Sequence, residues 1–188
     1  MSTACTADAS AVHAVLKTLG PLAGVTTTSE YYLDLCARLA EEHGLPGNPH
    51  DAVAACRNKI LTRAALRSAG LPQPRSAFVA DPCDAAIVVQ NIGLPCVVKP
   101  VDGSGSELVR LCSTLDAVAE QVAQIVAVKQ NARGLPTAGV ALIEEFVDGP
   151  EHSAEMFSEC GRHHLVGVTR KQLGPVDELL DQRHAGGG

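Results

Sequence analysis

Gly93-Leu94-Pro95-Cys96-Val97-Val98-Lys99-Pro100-Val101-Asp102-Gly103-Ser104-Gly105-Ser106 is the stretch on which the fold turns. Residues 94–99 are an apolar run that ends on a lysine, which predicts a buried strand. A loop of glycine and serine follows. Glycines let backbone N–H groups approach a phosphate, and serines add hydroxyl donors. Residues 107–112 predict a second strand. A connection this short pairs strands antiparallel, because a parallel pair needs a crossover of about a dozen residues or more. Taken alone, the loop reads equally well as a glycine-rich hairpin beside a solvated lysine.

Two common nucleotide motifs are excluded. GxxxxGK[ST] does not occur. Gly103-x-Gly105 lacks a third glycine, since Leu108 stands in its place. The loop also joins two strands rather than opening a helix, so the dinucleotide context fails.

Upstream, apolar residues at helical spacing predict helices over 10–19 and from Thr28 or Ser29 to Gly44, where glycine ends the last turn. A linker rich in proline and glycine covers 45–49, and one long helix is expected over about 51–69. Its Lys59, Arg63 and Arg67 step along one face, which by itself is an ordinary solvated basic face. A strand at 76–79 precedes Asp81-Pro82, a helix start made of a side-chain cap and a proline. Downstream, Ser113 or Thr114 caps a further helix, and 139–147 reads as a strand. That strand ends Ile143-Glu144-Glu145-Phe146-Val147-Asp148-Gly149. Its end can offer backbone groups and apolar side chains to a flat base, and its acids can accept from an amino group or ribose. An edge strand with solvated acids explains the same residues at least as well. Residues 152–157 and 163–168 predict two more strands, so the fold class is α+β with antiparallel pairing.

In this order, Asn58-Lys59-x-x-x-Arg63, Ala69-Gly70-Leu71-Pro72-x-Pro74, Gly93-Leu94-Pro95-x-Val97-Val98-Lys99-Pro100, the Gly/Ser loop and Ile143-Glu144-Glu145-Phe146-Val147-Asp148-Gly149 resemble the ATP-grasp superfamily. The resemblance covers about residues 25–175 and is nearest to the carboxylate–amine (amino-acid) ligases. It implies a small α+β lobe, the beginning of an antiparallel large lobe, and ATP held between them. It divides the chain into a helical remnant of an N-terminal domain (1–50), the small lobe (51–142), and the hinge with a partial large lobe (143–188). Carried over, Lys59 and Lys99 hold ATP phosphates, and Gly103, Ser104, Gly105 and Ser106 form the loop that closes over them. Glu144, Glu145, Phe146 and Val147 form the adenine hinge, and Glu155 faces ribose or substrate.

The implied activity is that of an ADP-forming ligase, which activates a carboxylate as an acyl phosphate for attack by an amine. The implied cofactors are ATP and magnesium, and the implied partner is a small molecule, an amino acid or other carboxylate. In relatives the magnesium ligands follow later than Gly188, and the front is abbreviated. The chain is therefore expected to be a truncated member without a metal site or turnover of its own, and a non-catalytic ATP-binding fragment is the alternative. A surface helix with a glycine end is expected over 175–188. An α+β interaction module with an incidental glycine loop is the reading that ignores the resemblance.

Composition limits the other classes. With 46% hydrophobic and 19% charged residues, the 188-residue chain has the balance of a globular protein. A net charge of -6 argues against a nucleic-acid partner. No apolar run reaches the roughly 20 residues that span a bilayer, and Met1-Ser2-Thr3-Ala4-Cys5 does not begin a signal peptide. The seven dispersed cysteines read as reduced thiols in the core, so a cytoplasmic location without a membrane partner is expected.

Lys99→Met is expected to weaken ATP binding by about tenfold or more, the loss of one charge-assisted bond to phosphate. Titration calorimetry of the variant, with its circular dichroism intact, checks this. Unchanged affinity would remove Lys99 from the phosphate role.

Overall fold

The computed structural model describes residues 8–171, so the helix expected over 175–188 lies outside the described residues. The chain divides into two compact units between Glu145 and Phe146.

The first unit begins with helices. The first, α1 (Ala9–Thr18), opens on Asp8, whose carboxylate accepts the N–H groups of Ser10 and Ala11. A 3-10 turn at Glu30–Tyr32 leads into α2 (Leu33–Glu42). Gly44 takes a left-handed φ of 62°, and the N–H of Leu45 donates to the Ala40 carbonyl, which closes α2 as its glycine predicts.

The single helix expected over 51–69 is in fact two, α3 (His50–Arg57) and α4 (Lys59–Ser68). Between them Asn58 is extended, with φ -105° and ψ 115°, and its side chain caps α4 by accepting from Ile60 N–H. The cause is tertiary. In an unbroken helix the N–H of Lys59 would donate to Ala55. Here it donates to the Val101 carbonyl at 2.9 Å, and the Thr62 hydroxyl serves Ala55 at 2.6 Å. The break ties the start of α4 to the end of a strand.

That strand is β2 in a four-stranded antiparallel sheet. Its members are β1 (Ser76–Val79), β2 (Cys96–Pro100), β3 (Arg110–Cys112) and β4 (Ala141–Glu145), in the spatial order β1-β4-β2-β3. The β2–β3 pairing is antiparallel, as the short loop requires. However, β3 is shorter than the expected 107–112, because Ser106 and Leu108 take left-handed φ values of 60° and 54° and interrupt the extended chain. Likewise β4 is shorter than 139–147, and it is an inner strand, not an edge.

Side chains alternate across a strand. Ala77, Val79, Cys96, Val98, Cys112, Ala141 and Ile143 therefore share one face. The helices α5 (Ala85–Ile92) and α6 (Leu115–Ala127) supply its cover, with Ile92, Val118, Val122 and Ile125 buried in one cluster. Both starts match their sequence signals: Asp81 accepts from Cys83 N–H ahead of the 3-10 turn Pro82–Asp84, and Thr114 accepts from Ala117 N–H. The register partners Cys96 and Cys112 are fully buried, and burial pushes the Cys96 thiol up to about 11. Cys56, Cys83 and Cys160 are exposed, so core packing accounts for only some of the thiols.

In the second unit, β5 (His152–Glu159) and β6 (Arg162–Arg170) form an antiparallel hairpin. Cys160 and Gly161 both have positive φ, as a two-residue turn of matching twist requires.

Ile143 is fully buried on the central strand. Ile143→Ala is expected to cost about 2–5 kcal/mol of stability, read as a lower urea midpoint at constant m-value. A loss within about 0.5 kcal/mol, typical of surface substitutions, would contradict this placement of the core.

Candidate functional site

The opposite face of the sheet is polar at one end. Alternation places Val97, Lys99, Leu142 and Glu144 there, with Lys99 opposite Leu142 and Val97 opposite Glu144. Lys99 and Glu144 are thus diagonal neighbours on adjacent strands, within reach of long side chains. They form an ion pair through Lys99 Nζ and Glu144 Oε2. Arg63, one turn into α4, binds the other oxygen: its Nε donates to Glu144 Oε1 at 2.6 Å, and its Nη2 donates to the same atom. The Glu144 side chain is only 5% exposed, against 17% for Arg63 and 21% for Lys99.

This corrects two readings. The basic stripe on α4 is not merely a solvated face, since Arg63 and Lys59 are half-buried and engaged, and Arg67 alone of the three is exposed. The acids of β4 are not those of an edge strand. Glu144 is buried in a triad, and Glu145 is held by Arg75, whose Nε and Nη2 donate to its two oxygens at 3.1 Å. The Arg75 hydrogen bonds hold the Glu145 carboxyl below its usual range.

Lys59 stands at the first position of α4 because Asn58 breaks the helix there, and its Nζ donates to the Gly103 carbonyl at 2.9 Å. Burial lowers its pKa first, and the like charges of Lys99 and Arg57 lower it further, while Asp102 and Glu144 act the other way. The loop itself is fastened to the first unit. Asp102 accepts from Ala138 N–H at 2.7 Å, and the Ser104 hydroxyl donates to Glu30, which also pairs with Arg57. Arg57 lies 5.8 Å from the centroid of the Tyr31 ring. At Gly103 a Cβ would come within 3.2 Å of the Pro100 ring, so glycine gives the loop its close turn. Gly105 has φ 62°, which glycine adopts without strain.

Lys59, Lys99, Gly103, Ser104, Gly105, Ser106, Glu144 and Glu145 therefore lie in the first unit, and Phe146, Val147 and Glu155 lie in the second. There Phe146 is half-buried and Val147 exposed. Glu155 is exposed, at a shift in register of the β5–β6 ladder. Arg63, Arg75 and Glu30 were not anticipated. For Arg63 the signal was present, one helical turn from Lys59. Glu30 carries no sequence signal, because its contact with residue 104 is purely tertiary. Among the described residues, no group of three or more His, Cys, Asp or Glu is arranged to hold a metal ion, and no helix is long and apolar enough to cross a membrane.

A mixed fold of helices and antiparallel sheet with this lysine-flanked loop defines a class, and comparison with known proteins agrees. The sequence pattern of the ATP-grasp domain matches residues 92–186, and the chain belongs to that family. Protein y4rH of Sinorhizobium fredii is 32% identical over 159 residues, which are 85% of this chain and 32% of that protein. Alpha-aminoadipate–LysW ligase LysX of Saccharolobus solfataricus is 29% identical over 133 residues, which are 70% of this chain and 46% of LysX. The crystal structure of L-amino acid ligase from Bacillus licheniformis superposes with a TM-score of 0.70 at 29% identity, over 87% of this chain and 37% of that one. The chain thus spans 32% and 46% of the length of these two curated relatives.

Removing a like charge favours the protonated amine, so Lys99→Met is expected to move the Lys59 pKa upward, toward the ordinary 10.5. A pH titration of lysine ε-carbon resonances reads it. A downward movement would contradict the proximity of the two ammonium groups.

Proposed function

We propose that this chain is the ATP-binding portion of an ADP-forming ligase that activates a carboxylate for attack by an amine. One observation carries the reading: the Lys59 ammonium is held against the glycine–serine loop at 2.9 Å from the Gly103 carbonyl, and burial first, then the charges of Lys99 and Arg57, disfavour its charged form. An arriving polyphosphate supplies the negative charge that offsets both. In this reading Lys59 and Lys99 bind phosphate oxygens, and Gly103, Ser104, Gly105 and Ser106 add backbone donors. Phosphoryl transfer asks mainly for positioning and charge neutralisation, which these groups supply. A carboxylate oxygen attacks the γ-phosphorus, the bond to ADP breaks, and an acyl phosphate forms. An amine then attacks the acyl carbon and phosphate leaves. An amino acid is the substrate class supported by the likeness to LysX and to an L-amino acid ligase. Because the Glu144 and Glu145 side chains are engaged by cations, contact with adenine falls to the backbone of that stretch. The roles of Phe146, Val147 and Glu155 toward base, ribose or substrate are carried over from the resemblance.

Magnesium, expected with ATP in this family, finds no fitting set among the described residues, and no step is assigned to it. A second reading, ATP binding without turnover, is favoured by the pairing of Glu144 with Arg63 and Lys99 and of Glu145 with Arg75. Acids already neutralised by cations are poor ligands for another cation.

Titration of the 188-residue chain with ATP in the presence of magnesium is expected to show binding that Lys59→Met and Lys99→Met each weaken by about tenfold. No binding by the folded chain would overturn both readings. An ADP-release assay with a panel of amino acids then separates them: amino-acid-dependent ADP release that Lys99→Met abolishes selects the ligase, and binding without release selects the second reading.

A further inference from the structure

A lysine meant for phosphate is here bonded to a buried carboxylate. Glu144 carries one negative charge, and by itself it would cancel the charge of Lys99 and hold the ammonium back from any ligand. The structure resolves the conflict with Arg63. Both Nε and Nη2 of Arg63 donate to Glu144 Oε1, while Lys99 reaches Oε2. Two cations on one anion leave a net positive charge at the end of β2, beside Lys59 and the loop. The planar guanidinium also holds Oε1 through two converging donors, so the oxygen facing Lys99 has a set place.

We propose that Arg63 is a positioning residue for nucleotide binding: it holds Glu144 and offsets its charge, so that Lys99 keeps both its place and its positive charge for phosphate. This rests on the reading above that Lys99 binds ATP phosphate. Arg63 touches no ligand in this account and acts only through Glu144 and Lys99. The account implies a specific pattern. Removing the guanidinium leaves the Lys99–Glu144 pair neutral, which weakens attraction to phosphate. Neutralising Glu144 as well restores the charge.

The test is ATP affinity by calorimetry for the 188-residue chain and its Lys99→Met, Arg63→Gln and Arg63→Gln/Glu144→Gln variants. Circular dichroism and thermal melting confirm folding. Arg63→Gln is expected to lose about tenfold in affinity, the scale of one charge-assisted bond. Arg63→Gln/Glu144→Gln is expected to recover most of that loss, an outcome that simple damage to the fold would not produce. Arg63→Lys, which keeps the charge but not the planar fork, stands in if Arg63→Gln does not fold, and is expected to lose less than the roughly tenfold that loss of the charge costs. A loss of about tenfold or more in that folded variant would overturn the proposal. If Lys99→Met leaves affinity unchanged, the phosphate role of Lys99 fails, and the proposal with it. If Lys99→Met weakens binding but Arg63→Gln does not, only the positioning role of Arg63 is overturned. The same holds if the Arg63→Gln/Glu144→Gln variant shows no recovery.

Discussion

Taking an ionised carboxylate out of water costs several kcal/mol unless its oxygens are met by cations or donors. Glu144 is almost fully buried at the middle of the sheet, and its two oxygens are met from two directions. Lys99 comes from the neighbouring strand β2, and Arg63 comes from α4. One buried charge therefore joins three elements that are far apart in sequence, and it does so on the face of the sheet that the α5–α6 core leaves uncovered. A buried ion pair is weak evidence for added stability. Its value here is in specifying which cation sits where.

That arrangement depends on the interruption at Asn58. An unbroken helix would spend the Lys59 N–H within its own ladder, and α4 would have no backbone tie to β2. With the break, the same N–H reaches Val101, the Lys59 side chain reaches Gly103, and Arg63 falls one turn later, over Glu144. The cap by Asn58 and the hydroxyl of Thr62 make the break tolerable, since they satisfy groups that the helix no longer pairs. A local defect in secondary structure thus sets the spacing of the cations.

The loop between β2 and β3 follows the same logic. Its glycines permit the close approach to Pro100 and the left-handed turn at Gly105, while Asp102 and Ser104 fasten it to Ala138 and Glu30. Backbone freedom at the glycines and side-chain anchors at their flanks together fix the course of the loop. Glu30 is an anion set against Arg57 and a loop hydroxyl.

Much of this was legible in the chain itself, wherever the cause is local. The β2–loop–β3 hairpin follows from a short glycine loop between apolar runs, and Asp81-Pro82, Thr114 and Gly44 marked helix ends through their own side chains or φ preference. Lys59, Lys99 and the loop stood out because residue type and order carry the family resemblance. Where a residue's partner is distant, the sequence was silent or misleading. The helix break at Asn58 answers to Val101, and the length of β3 to left-handed turns at Ser106 and Leu108. Glu144 and Glu145 looked alike as neighbouring acids. Only the pleat of an inner strand turns one beneath Arg63 and Lys99 and leaves the other to Arg75, because successive side chains point to opposite faces and the sheet order decides what each face meets.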